Sequence, residues 1–469
     1  MSEAVELYKT VIANDLCIGC GACALVKDSP FYINKDKYGN IVANADKKNL
    51  ENSSAKVLGV CPFSGKSKNE DELGEMFFPE NRIEDKHLGR FLKTYAGHVV
   101  NDDIRKIASS GGIGKWFAHS LLRNNKVDHY IQVTENNSGN ANEDLFKYDI
   151  FSDPESVIHG STSAYYPTTL IEVVQKIRNI EGTFAITGVP CFIKTLRLLA
   201  LKDIDLKKKI KFTVGIVCGG MKSANQAKMI SWQLGVHPDN LTKINFRGKN
   251  YGETPATTKI YQVWSDRDDQ VREKNSGDIF GADYGMGFFK PKACDFCDDV
   301  VGETADISIG DVWLPNYRFD TKGYSLIIVR NKELYNMLLE FESKGEIVLE
   351  NLDPLDAIKS QQGGFRHRRD ALSYRLLKRK NKGEWYPEKR VKPGEFEIEK
   401  KRKKIYDLRE IMGDASHEIF LEALEKDDYG IFYTKISKYI KKYITAYHGV
   451  YVVRFYNKVK RRLNLIFNQ

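Results

Sequence analysis

The chain has 469 residues, several times an average domain, so two or three domains are expected. A hydrophobic content of 42% with 11% aromatics supplies large cores, while 29% charged residues and 13 prolines exclude collagenous, low-complexity and wholly disordered classes. The net charge of +9 is uneven, because residues 361–469 carry 27 Lys/Arg against 14 Asp/Glu, a surplus of 13 that leaves the rest of the chain at −4. Apolar runs such as 325–329 are strand-sized and fall far short of the roughly 18 to 20 residues of a membrane-spanning helix. The acidic start, Met1-Ser-Glu-Ala-Val-Glu-Leu, lacks the basic and then apolar pattern of a secretory leader, so a cytoplasmic location is expected.

Residues 1–70 read as a small ferredoxin-like module. Cys17-Ile-Gly-Cys20-Gly-Ala-Cys23 spaces three thiols around a compact turn, Gly19 and Gly21 let the backbone approach sulfide closely, and Cys61-Pro62 supplies a fourth corner. This is the arrangement of a bacterial 4Fe-4S run. No second local triplet exists, so Cys61 is assigned to the same cluster, and structural zinc is the competing reading. The polar stretch 64–72 reads as an exit linker.

From 90 to 350, short apolar runs alternate with helical patterns, the signature of an α/β core with a mixed or parallel sheet and helices on both sides. The segment from Ser109 to Lys115 is Gly-rich, but Ser109 stands where a phosphate-binding Walker loop needs Gly, and Trp116 where it needs Ser or Thr. No Gly-x-Gly-x-x-Gly follows a strand, so a Rossmann dinucleotide site is not expected. A strand over 183–187, the turn Gly188-Val-Pro190 and a helix from Phe192 to Ala200 place Cys191 at a helix N-terminus. A strand over 211–217 ends at Cys218-Gly-Gly220, before a helix running through Trp232. If both strands lie in one parallel sheet, both sulfurs sit at its carboxyl edge, where helix dipoles favour thiolate and open α/β sheets gather ligands. With Cys294-Asp-Phe-Cys297 they make four thiols for a second metal centre. Spacing alone leaves an iron–sulfur cluster, zinc and unrelated buried thiols open.

Residues 360–469 read as a basic helical C-terminal extension. From Tyr429 onward, Ile436, Tyr439, Ile440, Tyr443, Ile444 and Tyr447 recur at helical spacing with Lys435, Lys438, Lys441 and Lys442 between them, followed by Lys460-Arg461-Arg462. A helix packed on the body with a solvated lysine face is the first reading. Attraction to an anionic membrane surface is the second, and would place the protein at the inner face of the cell membrane. No zinc-finger spacing, RNA-reading aromatic signature or basic zipper is present, so no nucleic-acid partner is expected.

Several motifs then coincide in order: the N-terminal triplet, Arg105-Lys-Ile-Ala-Ser-Ser-Gly-Gly112, Gly188-Val-Pro-Cys191, Cys218-Gly-Gly, Lys243-Ile-Asn-Phe-Arg-Gly-Lys-Asn-Tyr-Gly252, and Cys294-Asp-Phe-Cys297 leading to Ala305-Asp-Ile-Ser-Ile-Gly-Asp-Val-Trp313. Over residues 10–335 the set resembles the coenzyme F420 hydrogenase/dehydrogenase beta-subunit family. The resemblance implies a flavin, FAD or FMN, held between the α/β core and two 4Fe-4S clusters, joining one-electron transfer to two-electron chemistry. By matching positions it implies that Ser109, Ser110, Gly111 and Gly112 touch the flavin phosphate or ring, with an N-cap and tight turn as the alternative. It also implies that Asn245, Arg247 and Lys249 supply charge to flavin or substrate, with surface ion pairing as the alternative, while Asp306 and Asp311 flank the strand after the last cysteines, with a turn residue as the alternative for Asp311.

Family members acting on the deazaflavin are usually shorter than this chain. Gln361-Gln-Gly-Gly-Phe-Arg-His-Arg-Arg-Asp370 resembles bacterial relatives, some of which accompany polysaccharide-assembly enzymes. Arg366, His367, Arg368 and Arg369 read as an exposed basic turn or, alternatively, as an anion site, and His367 is the candidate titrating acid among nine histidines. Arg247, Lys249 and His367 are thus the catalytic candidates. The expected activity is an iron–sulfur flavoprotein oxidoreductase that exchanges electrons with a ferredoxin-like partner and acts on a small molecule or glycan precursor. The alternatives are a metal-stabilised scaffold docking at the membrane face and a true F420-dependent oxidoreductase.

Overall fold

The computed structural model describes residues 1–136, 139–140, 143–160 and 162–449. Its centre is an eight-stranded mixed sheet in the spatial order Ile347–Asn351, Lys93–Val99, Ser325–Val329, Ile307–Asp311, Ile210–Ile216, Phe184–Gly188, His129–Glu135, Phe146–Phe151. The four strands from Ile307–Asp311 to His129–Glu135 run parallel, and the remaining pairings are antiparallel. Side chains alternate across the sheet. Phe184 and Ile186 face one core with Ile193 and Leu196 of the Pro190–Ala200 helix, and Ala185, Phe212 and Val214 face another with Phe117 and Leu121 of the Ile113–Arg123 helix. Helices therefore cover both faces, and Ser325–Val329 is buried along its whole length, the β-branched composition expected of a doubly covered strand.

The N-terminal residues do not stand apart. A two-stranded antiparallel hairpin, Tyr32–Lys35 with Ile41–Asn44, packs with short helices into the same core as the sheet, where Leu16, Val57 and Phe63 join Ile186 and Leu196. The expected exit linker is in its second half a buried anchor. Asn69 and Glu72 form a capping box on the Glu70–Phe77 helix, and Glu70 is buried in ion pairs with Lys194 at 3.0 Å and Arg390 at 3.5 Å. Four side chains inside that helix carry charge, and one of them points inward where its cationic partners wait.

A three-stranded antiparallel sheet, Leu241–Gly248, Ile260–Ser265 and Arg272–Asn275, sits between the parallel strands in sequence. Its Ile244, Phe246, Tyr261 and Val263 share a core with the C-terminal helices Lys400–Glu425 and Tyr429–His448. In the second of these helices Phe432, Ile436, Ile440 and Tyr443 are buried, packing near Phe288, Phe289 and Phe420. The apolar face that would enter a bilayer is thus spent inside the molecule. The Lys460-Arg461-Arg462 cluster lies outside the described residues. Among the described residues no helix is long and apolar enough to cross a membrane.

Candidate functional site

A cavity of about 1370 Å³ opens where the carboxyl ends of the parallel strands meet the small antiparallel sheet. Gly188, Ile216, Gly310 and Asp311 come to it from strand ends, and Tyr433, Ile440 and Ile444 wall it from the last described helix. Its position follows the rule for open α/β sheets.

One end is polar. Ser109, Ser110 and Gly112 line it, followed by Gly114 and Lys115 of the Ile113–Arg123 helix, whose first turn has no capping side chain. Gly112 holds φ at +89°, a left-handed conformation that glycine adopts freely. Gly111 does not reach the cavity. A Cβ there would lie 2.7 Å from the Gly97 carbonyl oxygen and 2.8 Å from the Ser325 nitrogen, so this glycine exists to press the loop onto the sheet.

Arg247 is the charged centre of this wall. It is buried, with Nη2 2.7 and 2.9 Å from the Asp311 carboxylate and 3.1 Å from the Ser109 carbonyl, while Nη1 donates to Tyr165 Oη at 3.0 Å. Its Nε is buried without a partner. Lys259 donates to the same Ser109 carbonyl at 2.8 Å; burial, followed by the Arg247 charge, pushes its amino group down to about 7. Lys249 differs. Its amino group donates to the carbonyls of Arg105, Ser110 and Lys322 at 2.7, 3.0 and 3.1 Å, which uses all three of its protons to staple the 105–110 loop. It does not line the cavity, so its expected contact with flavin or substrate is corrected to loop clamping. Asn245 likewise spends its side chain on Gln262 at 3.0 Å and on the Arg247 amide at 3.0 Å.

At the other side of the cavity stand Cys218, Gly219 and Gly220. Cys191, Cys218, Cys294 and Cys297 converge there: burial first, then the charges of Cys297, Cys218 and Cys294, push the Cys191 thiol well up. The Met221 amide donates to Cys294 Sγ at 3.3 Å. Cys17, Cys20, Cys23 and Cys61 converge as a second set, with Cys17 Sγ accepting from the amides of Gly19 at 3.4 Å and Ala43 at 3.3 Å. Gly19 and Gly21 both have positive φ, and a Cβ on Gly21 would strike Ile171 at 2.3 Å, so the sulfur loop is pressed against the core. Cys20 also lies within electrostatic reach of Cys191, which sets the two groups side by side.

Only one of the two core thiols expected at a helix N-terminus lies there. Cys191 is on the first turn of the Pro190–Ala200 helix, but the helix after Cys218 begins only at Asn225, so Cys218 sits on a loop. Burial outweighs the dipole at Cys191, whose thiol is pushed well up, and the thiols of Cys20, Cys61 and Cys294 are pushed up to about 11, 12 and 12. Protons therefore leave these sulfurs when a metal takes their place. Among the described residues no three His, Cys, Asp or Glu side chains are drawn around one point as ligands of a single ion are.

The predicted basic turn is also corrected. Residues Gln362–Arg368 form a helix, and Arg368 and Arg369 are buried. Arg369 pairs with Glu303 at 3.2 Å, and Arg368 turns its Nη2 toward Cys218 Sγ at 4.0 Å. His367 packs on Tyr406 and does not line the cavity. Burial and the neighbouring arginines hold it well below the usual imidazole range. Asp306 is structural, accepting from Arg197 at 2.9 Å and from the Thr213 amide at 2.7 Å. Tyr165, Lys222 and Lys259 complete the cavity without any local sequence signal, since each comes from a different segment.

Two family models match the chain, both describing the beta subunit of coenzyme F420 hydrogenase/dehydrogenase: the model of its N-terminal part matches residues 94–175, and the model of its C-terminal part matches 182–355. The chain belongs to this family of oxidoreductase subunits. Comparison with curated proteins gave no match. Among solved structures, one of the xenon-derivatised F420-reducing NiFe hydrogenase complex from Methanosarcina barkeri is similar at a TM-score of 0.48 and 20% identity, covering 66% of this chain and 98% of that one.

Proposed function

We propose that this chain is an iron–sulfur flavoprotein oxidoreductase. In this reading the cavity holds FAD or FMN, Cys191, Cys218, Cys294 and Cys297 hold one 4Fe-4S cluster, and Cys17, Cys20, Cys23 and Cys61 hold another. The observation that carries it is a single cavity with an uncapped helix start, Arg247 and Lys259 at one side and Cys218 at the other. The polar side suits a phosphate group, because free first-turn amides and fixed cations both favour an anion. The sulfur sets suit cubanes: four thiolates in each set would hold one iron apiece, and backbone amides donate to Cys17 and Cys294.

When bound, a flavin supplies the exchange between hydride and single-electron chemistry. The chain's own part is positional. Arg247, fixed by Asp311 and Tyr165, holds positive charge at the Ser109–Gly112 loop; Lys249 keeps that loop closed; and Tyr433, Ile440 and Ile444 give the cavity an apolar wall. A ferredoxin-like partner and a small-molecule or glycan-precursor substrate belong to the same proposal, as does an accompanying role in polysaccharide assembly.

Anaerobic purification with iron and flavin analysis tests it. About eight irons and one flavin per chain are expected, with Cys218→Ser losing about four irons and perturbing the flavin spectrum. Stoichiometric zinc without flavin rejects the proposal.

A further inference from the structure

The Gln362–Arg368 helix does two things at once. Gly363 and Gly364 line the cavity, and Arg368 enters the interior with only 4% of its surface exposed. Its Nη2 lies 4.0 Å from Cys218 Sγ, the guanidinium also faces Cys297 and Cys294, and its Nε is buried without a partner. Neighbouring arginines are neutralised by carboxylates, Arg369 by Glu303 and Arg375 by Asp295, both at 3.2 Å. Among the described residues Arg368 pairs with no carboxylate. A buried cation of this kind requires a compensating anion, and the groups it faces are three of the four core sulfurs.

The N-terminal sulfurs are served differently. The cation facing Cys61 is Lys389, which also faces Cys297, as do the buried carboxylates of Asp298, paired with Lys389 and Arg390, and of Asp299, which accepts from the amides of Val301, Gly302 and Glu303. The Lys389 amino group is 3.4 Å from Asp298 Oδ1, so its charge is already compensated.

Reduction adds one negative charge to a cluster, and a fixed, uncompensated positive charge in a low-dielectric interior stabilises the reduced form more than the oxidised one. We infer that Arg368 is a positioning residue that raises the reduction potential of the centre at Cys191, Cys218, Cys294 and Cys297 above that of the centre at Cys17, Cys20, Cys23 and Cys61. One electron leaves the reduced N-terminal centre and arrives at the core centre, with no bond made or broken and no proton required. Electrons then collect beside the cavity, next to Cys218.

The inference rests on the proposed function, and the test separates the two. Wild-type protein, Arg368→Gln and Arg368→Lys are titrated anaerobically under EPR, with Cys218→Ser used to assign the core signal. The expected result in Arg368→Gln is a lower midpoint for the core centre alone, by at least about tenfold in its reduced-to-oxidised ratio, which is 59 mV for one electron. Arg368→Lys keeps the wild-type midpoint. Eight irons with an unmoved core midpoint in Arg368→Gln overturn the inference, as does an equal drop at both centres or an equal drop in Arg368→Lys. Wild-type protein lacking the two clusters overturns the proposed function and the inference with it.

Discussion

Lys259 shows how one buried residue couples the cavity to pH. Its amino group points at the Ser109 carbonyl beside Arg247, and burial with that neighbouring charge holds it at about 7. Below that value it is charged and attracts an anion; above it the free site is neutral. An anion raises the amino group's affinity for its proton, so binding takes up a proton above pH 7 and weakens as pH rises. Calorimetry with sulfate, whose charge is constant over this range, should therefore give a Kd weaker by up to about tenfold at pH 8 than at pH 6. Lys259→Met should bind weakly at both and lose the pH dependence. Asp311 opposes the depression, so Asp311→Asn should move the midpoint of that dependence lower.

At the scale of elements, the Pro190–Ala200 helix is bolted to the sheet by an ion pair to Asp306, a residue singled out in the sequence. Arg197 and Asp306 meet at 2.9 Å, both nearly buried, and Arg197 also donates to the Thr304 carbonyl and Thr213 Oγ1 at 3.0 Å each. Removing one partner leaves a guanidinium uncompensated in the interior. Asp306→Ala should destabilise the fold by roughly 3–5 kcal/mol, measured by urea denaturation. Since that helix carries Cys191, the proposed function also has this variant hold less iron. The reason the sequence pointed toward Asp306 as a site residue is its place between Cys297 and the strand; only the packing shows that its oxygens are all taken by Thr213, Arg197 and Asn331.

At the scale of the molecule, one arginine from the C-terminal extension ties three regions together. Arg390 reaches Glu303 at 2.6 Å, Asp71 at 2.7 Å, Asp298 at 3.4 Å and Glu70 at 3.5 Å, joining the end of the N-terminal unit to the core next to Cys297. Arg390→Ala leaves several buried carboxylates in mutual repulsion. The expected outcome is a loss of several kcal/mol and faster proteolysis within residues 1–77, with Arg390→Lys intermediate because a single ammonium cannot span the same fork of contacts. An autonomous N-terminal domain would leave that proteolysis unchanged.

Local and periodic features were legible from the chain alone: the Cys17–Cys23 run, whose spacing is a property of one turn; the α/β alternation, readable from strands such as Ser325–Val329; and the helical stripe from Ile436 to Tyr447. Folding settled where side chains spend their bonds. Lys249 looked like a free cation because the three carbonyls that occupy it come from Arg105, Ser110 and Lys322, far away in the chain. Arg368 looked like an exposed basic turn for the same reason. Its real surroundings are sulfurs from Cys218, Cys294 and Cys297, brought to it by a sheet edge and a loop that no local pattern connects. Spacing along a chain records local geometry, whereas burial and charge pairing depend on which distant segments fold against it.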